Sequence, residues 1–142
     1  MPPQSDPAST GASAHLGLAY YFYPNAACTT DTCQLDVGFV ASTDGGSTWT
    51  TATQLTGPMT LTWLPLTSQG YMVGDYISTS IVAGANKATP VFEIAKQPSG
   101  STLDEATYAA SVPLDGTSTT AARAASRVGT SPPRNSGTPR TF

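Results

Sequence analysis

Apolar and polar residues alternate with a period of two along several stretches of this chain, the mark of β-strands whose two faces differ. Across 15–23, Leu16, Leu18, Tyr20 and Phe22 project to one side, and Gly17, Ala19, Tyr21 and Tyr23 to the other. Neither side carries a charge, which predicts a middle strand covered on both faces. Pro24-Asn25 ends it. Across 34–41, Leu35, Val37, Phe39 and Ala41 form an apolar face, opposite Gln34, Asp36, Gly38 and Val40. The stretch 49–55 is Thr-rich and reads as an outer edge strand. Gly57-Pro58 breaks the pattern, and 59–66 reads as a connection whose Leu61, Trp63, Leu64 and Leu66 plug the gap between sheets. A second hairpin follows, with strands over 70–82 and 89–95 and a turn between them. The stretch 104–112 fits a third strand there better than the short helix it could also form. The chain is therefore expected to be all-β, built of antiparallel sheets.

The two ends lack this patterning. Residues 1–14 are rich in Pro, Ser, Ala and Gly, and read as a flexible lead-in. Residues 113–142 hold almost no large apolar side chains and read as a disordered tail, because such a segment cannot bury enough surface to offset its ordering entropy. Helix over 121–128 is at most transient. The folded part is thus expected over 15–112.

Between the strands 34–41 and 49–55 lies Ser42-Thr43-Asp44-Gly45-Gly46-Ser47-Thr48-Trp49. Asp44-Gly45-Gly46 is a tight-turn signal, since glycine accepts positive φ and an Asp carboxylate accepts hydrogen bonds from the N–H groups just ahead. The Ser42 and Thr48 hydroxyls can satisfy further backbone groups, and Trp49 offers an apolar plate with one N–H. The predicted result is a self-wired hairpin.

The pattern Ser-x-Asp-x-Gly-x-Thr-Trp, met by Ser42, Asp44, Gly46, Thr48 and Trp49, resembles the Asp box, a repeat of bacterial neuraminidases and other β-propeller proteins. The resemblance covers about 16–108. It implies blade-like antiparallel sheets, with the box joining the third and fourth strands of a blade at the rim away from any active site. Asp44 is then structural rather than catalytic. A blade has four strands, and the lead-in before His15 does not look like the first of them. Fewer than two blades are expected here, whereas a closed propeller typically has at least about four, so the chain reads as a terminal fragment of a propeller.

The Gly74-Asp75-Tyr76 stretch also looks like the inner strand of a later blade in secreted exo-sialidases and related glycosyl hydrolases. Members of that family hold the substrate carboxylate with three arginines, whose planar forks match its two oxygens. They use a Tyr–Glu pair as nucleophile and an Asp as acid/base. No arginine lies in 15–112; Arg123, Arg127, Arg134 and Arg140 all fall in the tail, so no residue maps onto the triad. The remaining candidates for chemistry are Asp75, Tyr76, Glu93 and Asp36, of which Asp75 and Tyr76 point to opposite faces of their expected strand. The resemblance implies a piece of a secreted sialidase-like hydrolase, inactive alone. The alternative is a noncatalytic propeller module that binds glycans or proteins.

Charge and cysteines sharpen this reading. The net charge of −3 gives no basic balance for nucleic acid. No apolar run of about 18 residues exists to span a membrane. Charged residues make up only 11%, against roughly 25% in ordinary soluble domains, so ion pairs contribute little to the expected fold. Cys28 and Cys33 are close enough to close a loop disulfide, which ranks ahead of free thiols; zinc comes last because His15 is the only histidine. A disulfide would imply an oxidising compartment, hence an extracellular protein. No metal or cofactor is expected. Carbohydrate is the ligand class implied, and partner blades or a second copy would cover the exposed sheet edges.

Overall fold

The computed structural model describes residues 4–5, 10–82, 84–116 and 126–127. In chain order the strands are β1 (Gln4–Ser5), β2 (Leu16–Phe22), β3 (Gln34–Ser42), β4 (Thr53–Thr60), β5 (Leu66–Thr67), β6 (Gly70–Tyr71), β7 (Ser78–Ile81), β8 (Lys87–Ser99), β9 (Thr102–Ala109), β10 (Val112–Pro113) and β11 (Ser126–Arg127). Short 3-10 turns occupy Gly11–Ser13 and Leu61–Trp63. The fold is all-β and every pairing among the described residues is antiparallel.

The first sheet has the order β1-β2-β3-β4. Its register, Ala19 opposite Phe39 and Tyr21 opposite Val37, gathers Gly17, Ala19, Tyr21, Val37, Phe39 and Ala41 on one face. That face carries the core, in which Val37, Phe39 and Ala41 are almost fully buried. Gly17 is glycine for a packing reason: a Cβ there would sit 3.2 Å from the Phe39 ring and 3.4 Å from Thr79 of β7.

In the second sheet Ala88 of β8 pairs with Ile81 of β7 and with Val112 of β10, so those two strands flank β8 on opposite sides. β9 and β10 run end to end along one side of β8, and β11 closes the far side of β9. The gap between β9 and β10 falls opposite Pro90, which accepts from the Ala110 N–H at 3.1 Å but has no N–H to return. Phe92, Ile94, Ala88 and Leu114 join the side chains of the first sheet in one continuous apolar cluster. β7 lies against β1 and β2, and β8 against β4.

Several expectations change. The first sheet gains its fourth strand from Gln4–Ser5, inside the expected lead-in. Ser126–Arg127, inside the expected tail, pairs with Tyr108 and Ala109. Two-residue strands pair through backbone alone, so no side-chain pattern announces them. Order also continues past 112: Pro113 is in β10, Leu114 is fully buried, and Asn86 holds Asp115 through a 2.7 Å side-chain hydrogen bond. The rest of the expected lead-in and tail, at 1–3, 6–9, 117–125 and 128–142, lies outside the described residues.

The outer strand begins at Thr53 rather than 49, although Thr50 still bonds Ala41 through its N–H and its hydroxyl. β4 runs through Gly57-Pro58 instead of ending there, with a cis peptide bond and an irregular register. Met59, expected in a connection, is 1% exposed, and its Sδ accepts from the Ala95 N–H at 3.2 Å. The expected strand over 70–82 divides into β6 and β7, with 72–77 as loop between them.

Candidate functional site

The Ser42–Trp49 turn connects β3 to β4, the third and fourth strands of the first sheet. Ser42 is buried at the end of β3; its hydroxyl donates to Asp44 Oδ1 at 2.7 Å and accepts from the Gly46 N–H at 2.9 Å. Asp44 Oδ1 also accepts from the Thr48 N–H at 2.8 Å, and Oδ2 accepts from the Thr48 hydroxyl at 2.6 Å. The Thr48 hydroxyl, then the Thr48 N–H and the Ser42 hydroxyl, hold the Asp44 carboxyl down at about 2. Trp49 lies against the turn and donates its indole N–H to the Gly46 carbonyl at 3.1 Å. Gly45, at φ +70°, donates to the Ala14 carbonyl at 3.0 Å, and a Cβ there would meet the Gly11 carbonyl at 2.6 Å. The turn is thus clasped to the segment before β2. Both Asp44 oxygens are committed to local donors, so this carboxylate cannot act as an acid or base at neutral pH.

Asp75 and Tyr76 sit at the tip of the 72–77 loop, Asp75 exposed and Tyr76 87% exposed. Val73 and Ile77 pack on the core and anchor the two ends of the tip. They are not on an inner strand, because β7 starts only at Ser78. Gly74, at φ +75°, passes so close over Glu93 that any Cβ would collide with its Cγ.

Beneath that loop the structure gathers around Glu93, a sequence candidate, three side chains that the sequence did not single out: Thr107, Glu105 and Tyr21. Glu93 of β8 and Thr107 of β9 are cross-strand partners, and the Thr107 hydroxyl donates to Glu93 Oε1 at 2.5 Å. Glu105 lies on the same sheet face, opposite Ala95. Its Oε1 is buried without a hydrogen-bond partner among the described residues, and burial followed by the nearby Glu93 charge raises its pKa. Tyr21 reaches across from the first sheet. Its hydroxyl accepts the Glu93 N–H at 2.8 Å and donates to the Glu93 carbonyl at 3.0 Å. Burial above all pushes the phenol up to about 12. Tyr21 is therefore held neutral, the reverse of an activated nucleophile. The alternation of 15–23 put Tyr21 on one face with Gly17 and Ala19, but nothing local could name its partner.

Asp36, the remaining candidate, is 5% exposed within β3, and its Oδ1 is buried without a hydrogen-bond partner among the described residues. Burial raises its pKa. Cys28 and Cys33 form a disulfide with Cα atoms 4.9 Å apart, which leaves neither as a thiolate ligand for zinc. Among the described residues no three His, Cys, Asp or Glu side chains come together as a metal-binding group, and no helix is long and apolar enough to cross a membrane.

No protein-family description, curated protein or solved structure matches the chain.

Proposed function

We propose that the chain is a fragment of an Asp-box β-propeller of the sialidase-like kind, and that it has no glycoside hydrolase activity by itself. One observation carries the reading. The Ser42–Trp49 turn joins the third and fourth strands of a four-stranded antiparallel sheet, with Ser42, Asp44 and Thr48 bonded to one another within it. The second sheet repeats the order of neighbours, from β7 through β8 and β9 to β11. Two such sheets do not close a ring, so the ring needs further blades.

Catalysis by this chain alone fails on chemistry. A sialidase must hold an anionic sugar while positive charge develops on the ring, which calls for fixed cationic forks. Among the described residues the cations are Lys87 and Lys96, point charges, with Lys96 placed 5.9 Å over the Tyr108 ring, and Arg127 in β11, one arginine where three are called for. Asp75 and Tyr76 are on an exposed loop tip, and Tyr21 is held neutral. A noncatalytic role, binding a glycan or a protein in the assembled propeller, is the second reading. The 87% exposed Tyr76 ring favours it as a stacking surface. The disulfide favours an oxidising, extracellular setting for either.

The test is a fluorogenic sialoside assay on purified chain, with size-exclusion chromatography on the same sample. No turnover is expected. Turnover that is abolished by Asp75→Asn, yet survives changing Arg123, Arg127, Arg134 and Arg140 to Gln, overturns the reading and makes Asp75 a working acid.

A further inference from the structure

At one point the first sheet stores a carboxyl where a strand pair should be regular. Leu35 pairs with Met59 and Val37 with Thr56, so Asp36 alone stands opposite both Gly57 and Pro58. This is a bulge in β4, the last strand of its sheet. Pro58 has no N–H to donate, and Gly57, at φ +122°, comes so close that a Cβ would collide with Asp36 Oδ1. The carboxyl fills the space a side chain at 57 would have taken. Across the other side of β3, Asp36 is paired with Phe22 of β2. Every neighbour in these registers is uncharged, and no ionised group among the described residues compensates the buried Oδ1.

An ionised carboxylate without donors or cations is costly to keep from water; the same group, neutral, is far cheaper. We propose that Asp36 is an acid-tightened latch on strand β4: neutral, it stays seated under Gly57 and holds the β3–β4 bulge closed; ionised, it leaves that seat past the side-chain-free Gly57 and loosens the strand. Glycine at 57 both makes the seat and opens the exit. Its raised pKa agrees in sign: the stabilising effect is complete below the ordinary value of 3.8 and is lost as pH rises through the folded-state value. The other titrating carboxyl on this hairpin, Asp44, works in the opposite range, because it is already ionised above about 2. Glu93 and Glu105 belong to the other sheet.

The experiment is amide hydrogen exchange on the full chain between about pH 3 and 8, corrected for intrinsic rates, with the Asp36 Cγ resonance followed over the same range. The expected result is a progressive loss of protection confined to Thr53–Thr60, with its midpoint at the Asp36 titration and unchanged protection in Leu16–Phe22. In Asp36→Asn, which keeps the shape and cannot ionise, β4 protection is expected to be flat with pH. Protection of β4 that ignores the Asp36 titration, an Asp36 midpoint at or below 3.8, or the same pH profile in Asp36→Asn overturns the latch. If the variant does not fold, agreement or disagreement between the two midpoints in the unaltered chain decides.

Discussion

Asp36 and Asp44 belong to one β3–β4 hairpin and meet opposite fates. Asp44 lies at the open end, accepts from the Ser42 hydroxyl and from two groups of Thr48, and is held at about 2. Asp36 lies inside the strand, keeps its buried Oδ1 without a donor among the described residues, and is pushed upward by burial. The difference is the supply of donors. A loop of Ser, Gly and Thr can turn N–H and hydroxyl groups inward on a carboxylate, whereas a strand has already committed its N–H groups to its neighbours. Tyr21 is the intermediate case: buried like Asp36, but satisfied like Asp44, because its hydroxyl meets a stretch of β8 beyond the end of β7.

The largest effect is expected from crowding the unsatisfied site. Gly57→Ala combines a collision with Asp36 and a φ that side chains resist, and should cost on the order of 3 kcal/mol in denaturant unfolding. Part of that loss should return in a Gly57→Ala, Asp36→Ala double variant; if none does, the collision is not the cause. Tyr21→Phe keeps the ring but strips both partners of Glu93, and should cost about 1–3 kcal/mol. An unchanged midpoint would mean that water serves Glu93 equally well. Asp44→Ala should lower the melting temperature by less, with faster amide exchange at Gly46 and Thr48 and no change in β8 or β9. Smallest is Asp36→Asn, which should raise the melting temperature at pH 7 and leave it unchanged at pH 4.

The two carboxyl classes also set opposite pH limits. Asp44, lowered to about 2 from 3.8, contributes stability that is present above 3.8 and lost as pH falls toward 2. Asp36 and Glu105, both raised, contribute stability that is complete below their ordinary values and lost as pH rises through the folded-state values. A thermal melting series should therefore decline on both sides of a weakly acidic optimum. Replacing Glu105 with Gln should flatten the upper side only.

Much of the first sheet was legible in the chain. The alternation in Leu16–Phe22 and Gln34–Ser42 located two strands and the buried face of the second, and the pair Cys28–Cys33 was readable as a disulfide. The turn at 42–49 was legible because its side-chain bonds span at most four positions. What escaped was whatever depends on distant or featureless partners. Gln4–Ser5 and Ser126–Arg127 pair by backbone, with no pattern to read. Gly57-Pro58 has the composition of a break, yet cross-strand pairing carries β4 through it. The alternation put Asp36 on the polar face of its strand, where a carboxylate is ordinarily solvated; only the approach of Gly57 buries it. Tyr21 and Glu93 stand 72 positions apart, beyond any local period.

That separation has a consequence for how the chain is made. During synthesis the residues of the first sheet through Thr60 are made before those of β8. Until Glu93 is added, the Tyr21 hydroxyl lacks the backbone groups it bonds in the folded chain. When β8 emerges, the stretch that β7 is too short to line meets a ready cap at Glu93 and a second one at Ala95 from Met59. In the folded chain the first sheet thus covers two N–H groups of β8 that lie beyond the reach of β7 and would otherwise be open to pairing with a foreign strand.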